Sequence, residues 1–231
     1  MRYIKKSETE PRDLREYKKN CRKASPPLKI TYKDMPKDGT RQQLARDQGY
    51  LCAYCMRRVS LDPADQLNYL NIEHLDPQNQ LPDEATTDFS NLLGVCPGNR
   101  SSTENAKKTC DAYRGILEED QQTMRLNPLD EAQMDTIFYQ RNGEIGSTDT
   151  ELNKELSDKL NLNSEAAYLP QNRETAYSQL VRFLKAKKPI GEWSKPFLQQ
   201  AWRLFCTPDK TGAYREYVGV YEYWLKHWMK K

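Results

Sequence analysis

Four cysteines bracket an acid-histidine pair in the first half of the chain, and this feature restricts the possible folds more than any other. Cys52 and Cys55 are separated by two residues, whereas Cys96 and Cys110 are separated by thirteen. A spacing of two residues gives the tight turn of a zinc knuckle, in which both sulfurs face one ion. Zn²⁺ bound by four thiolates is tetrahedral and closed, so its role is structural. The sequence therefore predicts a zinc ion that holds small elements together.

The second half of this predicted zinc site is less regular than the first. Residues 97–109 must loop out and return if Cys110 is to lie beside Cys96. Two further cysteines, Cys21 and Cys206, are available, and either could replace one of the four. Cys52, Cys55, Cys96 and Cys110 are therefore the predicted zinc ligands, and Cys21 and Cys206 remain as alternatives.

The composition is that of a globular protein. Hydrophobic residues make up 37% of the 231 positions, and no apolar run approaches the roughly 20 residues that a membrane span needs. The first residues lack the apolar core of a signal peptide. We therefore expect a cytoplasmic protein without a membrane partner, in which cysteines serve as metal ligands or buried thiols. A secreted toxin held by disulfides is disfavoured for the same reasons.

Charge and hydrophobic patterning predict an α+β protein in three parts. Residues 1–40 carry 12 Lys and Arg against 6 Asp and Glu, which predicts a basic N-terminal arm that either lies on phosphate or is simply solvated. Residues 41–120 contain the metal module. Residues 121–231 have helical periodicity and form a mainly helical accessory or partner-binding region.

Short elements are predicted around the cysteines. Residues 70–73 form a strand that ends at His74, and residues 91–95 form a second strand that returns toward the metal. Thr109 is placed to cap a helix from Cys110 to about Asp120. The result is a strand pair followed by a helix around one metal ion.

The C-terminal region contains a hairpin signal and several helical patterns. Asn142-Gly143 lies between two short alternating segments, which is a strong hairpin signal. Leu152, Leu156, Leu160 and Leu162 fall at helical spacing. The four tryptophans also lie in this region. Core packing is the favoured interpretation for them, and a partner-binding face is the competing one.

The acid-histidine pair supplies groups that phosphodiester hydrolysis requires. A neutral imidazole, such as that of His74, can act as general base near pH 7, whereas His227 lies in a C-terminal helical segment and is expected to be an exposed surface residue. Mg²⁺ or Mn²⁺ prefers oxygen ligands, and Glu73 and Asp111 can supply them if the fold brings them together. Asn91 would fix a loop or orient His74.

The order of these motifs resembles the HNH endonucleases of the ββα-metal type, in the branch with a four-cysteine zinc site of treble-clef-like form. The resemblance implies that His74 is the general base, assisted by Asn91, and that Glu73 and Asp111 hold the catalytic divalent ion. It further implies that basic residues near the helix bind nucleic acid, namely Arg114, Lys107 and Lys108. The departures from the family pattern are the insertion at 97–109 and Asp111 where Asn or His is usual, so that Asn99 competes with Asp111.

Other features extend the resemblance to the PtuB-type HNH endonucleases of Septu anti-phage systems, which are also found with some retrons. They are the opening Met1-Arg2-Tyr3-Ile4, the Cys52-Ala53-Tyr54-Cys55 turn, Asn127-Pro128, Asn142-Gly143 and the segment 160–163, Leu-Asn-Leu-Asn. The resemblance implies an ABC-type ATPase, PtuA, as partner, and in retron settings a reverse transcriptase with its RNA and DNA. Nucleic acid is the expected substrate, with DNA favoured over RNA. The competing interpretation is a zinc module that binds nucleic acid or protein without cleaving it.

Overall fold

The computed structural model describes residues 1–230, and within them the chain forms eight α-helices and four short strands, as the predicted α+β class requires. The helices are α1 (Arg12–Lys23), α2 (Asp38–Asp47), α3 (Cys110–Arg114), α4 (Glu131–Asp135), α5 (Thr150–Asp158), α6 (Leu169–Lys187), α7 (Lys195–Phe205) and α8 (Val218–Met229). The strands are β1 (Asn71–His74), β2 (Leu92–Val95), β3 (Ile137–Tyr139) and β4 (Ile145–Ser147). None of the helices in this described part is long and apolar enough for a membrane span.

Strands β1 and β2 with helix α3 form the predicted strand pair and helix. The strands are antiparallel, with Glu73 opposite Leu93 and His74 opposite Leu92. All four residues of β2 are buried, so the pairing places the end of β1 against the core. The Gln48 side chain follows α2 and joins it to β2, because it donates to the Gly94 carbonyl at 2.7 Å and accepts from the Gly94 amide at 2.7 Å.

Helix α3 is shorter than the sequence predicts. It ends at Arg114 and not near Asp120, and the chain then continues in i→i+3 turns such as the 3.1 Å bond from the Leu117 amide to the Arg114 carbonyl. The predicted cap is also wrong, since the Thr109 side chain makes no capping hydrogen bond. Arg114 itself donates to the Gln122 carbonyl at 2.6 Å, so the chain folds back over the helix end.

Residues 1–40 are folded against the rest of the protein. Helices α1 and α2 pack together around a small second core with the strand pair, formed by the buried residues Leu14, Met35, Leu44, Phe89 and Leu92. The surplus basic residues of 1–40 therefore lie on the surface of a segment that is folded against the rest of the protein. Helix α2 begins at Asp38 and ends before Gly49, whose φ of 62° suits a helix stop.

The C-terminal region packs helices α5 to α8 against the hairpin of β3 and β4. Gly143 has a φ of 83° in the hairpin turn, and a Cβ added there would lie 1.9 Å from the Pro170 carbonyl oxygen, so only glycine fits. Trp224 is buried, and its ring centroid lies 5.5 Å from that of Trp228. Trp193 and Trp202 are partly buried against the same core, as the core-packing interpretation of the tryptophans predicts.

Residues 160–163 do not continue helix α5, although the spacing of the leucines predicts a helix there. Asn161 takes a left-handed conformation with φ 48° and donates its amide to Ser157 at 3.0 Å, while the Leu162 amide donates to Leu156 at 2.8 Å. The bond from the Asn161 amide is the single 5→1 bond of an αL motif, and this left-handed turn ends the helical run that follows α5. Leu160 and Leu162 are still fully buried, so the leucine pattern identified core positions but not the helix end.

A buried arginine joins this segment to the hairpin and to α6. The Arg173 guanidinium donates to the Gly143 carbonyl at 2.5 Å, the Leu162 carbonyl at 2.8 Å and the Asn163 side-chain oxygen at 3.0 Å. Its side chain is only 1% exposed. The Arg173 guanidinium thus satisfies three acceptors, which come from the hairpin turn and from the segment after α5.

Arg173→Ala is expected to lower the free energy of unfolding by about 3 kcal/mol, because it leaves three buried acceptors without a donor and opens a cavity. Arg182→Ala is the matched control, since Arg182 is exposed on the same helix and its loss should change stability by less than about 0.5 kcal/mol. Urea unfolding followed by circular dichroism measures both. Equal midpoints for the two variants would show that the Arg173 contacts do not stabilise the fold.

Candidate active site and metal centre

The sulfur atoms of Cys52, Cys55, Cys96 and Cys110 form one buried cluster, in which all ligand atoms lie within 4.8 Å of one another. Three of the sulfur pairs are separated by 3.6, 3.8 and 3.9 Å. A zinc ion with bonds of about 2.3 Å to four sulfurs requires sulfur pairs about 3.8 Å apart, because that is the edge of such a tetrahedron. The four-cysteine cluster is therefore confirmed, and its geometry fits zinc.

The two spare thiols do not belong to this cluster. Cys21 and Cys206 are buried elsewhere as free cysteines. The alternative ligand sets that the sequence left open are therefore removed.

Two turns bring the four thiols together. In the first, the Cys52 amide donates to the Arg57 carbonyl at 2.9 Å, and the Met56 amide donates back to the Cys52 carbonyl at 3.1 Å. In the second, the insertion closes on itself, because the Thr109 amide donates to the Gly98 carbonyl at 3.0 Å. A Cβ on Gly98 would lie 2.1 Å from the Thr109 oxygen, so this closure requires glycine.

Two carboxylates converge beside the cluster. Glu73 lies in β1 and Asp111 in the first turn of α3, and both line one cavity with their carboxyl groups close enough to interact. Burial, followed by the adjacent Asp111 carboxyl group, raises the pKa of Glu73 well above its usual value. Two carboxylates at this separation repel each other unless a proton or a cation lies between them. Their oxygen donors suit Mg²⁺ or Mn²⁺.

Arg114 holds Glu73 from inside the protein, and this corrects the prediction that Arg114 contacts nucleic acid. Its side chain is 3% exposed, and its Nη1 atom lies 2.6 Å from Glu73 Oε1. It also donates to the carbonyl oxygens of His74, Leu75 and Gln122 at 2.9, 2.8 and 2.6 Å. The four internal partners of the guanidinium indicate that its main role is to hold Glu73 and the backbone after it. Sequence reasoning missed this because the basic residue and the acid are 41 positions apart.

His74 is held in one tautomer. Its Nε2 atom lies 2.8 Å from the Thr86 carbonyl oxygen, which can only accept, so Nε2 carries the proton and Nδ1 is left as the basic nitrogen. The Tyr32 ring packs edge-on against the imidazole at a centroid distance of 4.6 Å. Burial lowers the pKa of His74, which favours the neutral ring at pH 7.

The two asparagines considered at the sequence level lie in different places. Asn91 accepts from the Asp76 amide at 2.8 Å and donates to the Asp76 carbonyl at 3.3 Å, so it fixes the chain just after His74. The Asn99 side chain donates to the Lys107 carbonyl at 2.7 Å within the insertion. The Asn99 side chain therefore closes the insertion by this hydrogen bond, and Asp111, not Asn99, lies beside Glu73.

A cavity of about 610 Å³ contains Glu73, His74 and Asp111 in its wall. Besides Arg114, four cationic residues line the same cavity, from α2, its preceding turn and the insertion: Lys37, Arg41, Arg100 and Lys108. Lys108 is one of the residues predicted from the sequence. Lys107 does not line the cavity and is paired with Glu104 at 2.6 Å.

Sequence reasoning missed three of these cations, Lys37, Arg41 and Arg100. Lys37 lies near the end of the predicted arm, and the surplus of basic residues in 1–40 was its only signal, whereas Arg41 is the first residue of the predicted metal module and lies outside that count. Arg100 had no signal of its own, because its position depends on how the insertion folds.

Comparison with known proteins gives one partial match and no family model. A protein of Escherichia coli whose name describes it as an inferred HNH endonuclease of retron Ec83 is 31% identical over 86 residues. The match covers 34% of this chain and 32% of that protein, so the chain spans about a third of the length of the relative. No model of a protein family matches the chain. The match supports a relationship to HNH nucleases in general.

Cys52→Ser and Cys110→Ser are each expected to lose most of the bound zinc and to unfold at a lower temperature, because a structural zinc site contributes directly to folding. Cys21→Ser is the control, since Cys21 is buried outside the cluster. Metal analysis and thermal unfolding measure the two effects. Retention of a full complement of zinc by both ligand variants would contradict the assignment.

Proposed function

We propose that this protein is a metal-dependent HNH endonuclease that hydrolyses phosphodiester bonds of nucleic acid. The observation that carries the proposal is the convergence of one neutral imidazole and two carboxylates in a single cavity lined by cations. His74 and Glu73 come from β1, Asp111 comes from α3, and they meet only in the folded chain. The partial match to an HNH endonuclease supports the same general activity.

His74 acts as the general base in this proposal. Its Nδ1 atom accepts a proton from a water molecule, whose oxygen attacks the phosphorus as the bond to the leaving oxygen breaks. The hydrogen bond from Nε2 to Thr86 holds the ring and stabilises the imidazolium that forms. Asn91 acts indirectly, by fixing the backbone that follows His74.

Glu73 and Asp111 are the proposed ligands of the catalytic Mg²⁺ or Mn²⁺. When bound, such an ion neutralises charge on the phosphoryl group and the leaving oxygen. Glu73 is oriented for this task by Arg114, which is itself fixed by three backbone carbonyls. The four-cysteine zinc is separate and structural, because a tetrahedral site with four thiolates has no open position.

The cations of the cavity wall are the proposed contacts to the nucleic-acid backbone. Lys37 and Arg41 lie at the start of α2 and Lys108 lies at the end of the insertion, so two separate segments supply cations to the cavity of the acidic pair. Lys107 remains a candidate for a more distant contact. We favour DNA over RNA as the substrate.

The biological setting that we propose is anti-phage defence. The sequence resemblance to PtuB-type proteins of Septu systems points to an ABC-type ATPase, PtuA, that holds or licenses the nuclease in the cytoplasm. The relative in Escherichia coli is named for a retron, which supports a retron setting with its reverse transcriptase and nucleic acid. In this arrangement residues 41–120 form the nuclease, and residues 121–231 form the surface for the partner.

His74→Ala is expected to reduce cleavage about a thousandfold without loss of zinc or fold, because it removes the general base. The assay uses plasmid DNA and tRNA with Mg²⁺ or Mn²⁺, in the presence and absence of the ATPase. His227→Ala is the control, since His227 is the other of the two histidines and lies on α8 away from the cavity. If His74→Ala cuts as fast as the unmodified protein, the catalytic assignment is wrong.

A further inference from the structure

The insertion between the third and fourth cysteines places an arginine on a proposed metal ligand. Nη2 of Arg100 forms an ion pair and hydrogen bond with Oδ2 of Asp111. Asp111 is thus neutralised by a residue eleven positions earlier in the chain. The sequence pattern assigned no role to Arg100.

The end of the insertion is anchored to the C-terminal region, whereas the Arg100 side chain is largely exposed. Asn161 donates to the Lys108 carbonyl at 2.8 Å, and Ser164 donates to the Ala106 carbonyl at 2.6 Å, so the end of the insertion is tied to the C-terminal region. The Arg100 side chain is 61% exposed, while that of Asp111 is 19% exposed. The guanidinium can therefore leave Asp111 without movement of the loop.

The two arginines beside the acids differ in this respect. Arg114 is buried and has four internal hydrogen bonds, so it stays with Glu73 when the charge of the site changes. Arg100 is exposed, and its ion pair with Asp111 is the contact that a divalent cation must compete with. A guanidinium and a divalent cation at the same carboxylate repel each other, so metal binding weakens the contact that the exposed side chain makes, whereas the buried Arg114 is held by its backbone partners.

We propose that Arg100 is a displaceable latch: it pairs with Asp111 in the metal-free site, and after metal binding it pairs with a phosphate of the nucleic acid. This inference rests on the proposed function. The planar guanidinium fork matches the oxygens of a phosphate group, which makes Arg100 suited to the second state. Arg100 lines the same cavity as Lys108 and the acidic pair, so the released side chain remains within reach of a bound strand.

The first test measures Mn²⁺ affinity of the zinc-loaded full chain by titration calorimetry, without nucleic acid. Arg100→Ala is expected to bind Mn²⁺ about fivefold more tightly than the unmodified protein, because it removes the competing cation from an exposed ion pair. Arg125→Ala is the matched control, since Arg125 is 59% exposed and pairs with Asp149 at 3.3 Å outside the cavity. Its Mn²⁺ affinity should not change. Equal affinities for Arg100→Ala and the unmodified protein, or no Mn²⁺ binding by either, would overturn the latch.

The second test measures binding of a labelled DNA duplex and of tRNA at saturating Mn²⁺, in the His74→Ala background, over a series of salt concentrations. Loss of one phosphate contact in Arg100→Ala should reduce the slope of log affinity against log salt by about one. Arg125→Ala should leave the slope unchanged. An unchanged slope for Arg100→Ala with both nucleic acids would overturn the phosphate-bound state.

Neither measurement depends on cleavage. A failure of the unmodified protein to cut, together with the expected shifts for Arg100→Ala, would overturn the proposed nuclease activity and still support the two positions of Arg100. Cleavage that depends on His74 without those shifts would overturn the latch alone.

Discussion

The closure of the second cysteine pair is the constraint on which the site depends. Residues 97–109 fold into a loop that is closed by the hydrogen bond from the Thr109 amide to the Gly98 carbonyl. This closure brings Cys110 to the other three thiols. Since Asp111 follows Cys110 directly, the same closure sets the position of the second carboxylate. Burying four thiols without a metal would leave their charges or weak donors unsatisfied, and a tetrahedral ion resolves this.

The C-terminal region takes part in this closure. The Cys110 amide donates to the Leu160 carbonyl at 2.9 Å, and Asn161 and Ser164 hold the end of the insertion. Arg173 then fixes the same segment to α6 and the hairpin. The helical region therefore supports the metal centre directly, and is not merely an appendage that follows it.

Two arginines compensate the acidic charge of the site: Arg114 is buried with Glu73, and Arg100 forms an exposed ion pair with Asp111. Arg114 is enclosed with Glu73, so it compensates part of the acidic charge under all conditions. Arg100 approaches Asp111 from the solvent side on an exposed side chain. A pair of acids with both counter-charges fixed would bind a divalent ion poorly, while a pair with neither would be strongly repulsive in its metal-free state. The observed arrangement avoids both extremes.

Local patterns were enough to determine much of the module. The spacing of Cys52 and Cys55, the apolar segments around Glu73 and Leu92, and the turn signals predicted the zinc knuckle and the two strands of the module. These inferences succeeded because each depends on residues that are close in the chain, where spacing and backbone preference decide the geometry. The leucines in and after α5 were likewise identified as core residues, although the left-handed turn at Asn161 was not.

Only the tertiary structure decided which charged residues meet. Arg114 was expected at the nucleic-acid surface and is buried against Glu73, while Arg100 and Arg41 line a cavity that no local pattern indicated. A basic side chain has the same appearance in a sequence whether it faces water or an acid. Its role depends on partners that are tens of residues away in the chain and on whether it is buried. Burial changes the free energy of a charged group far more than its sequence neighbours do.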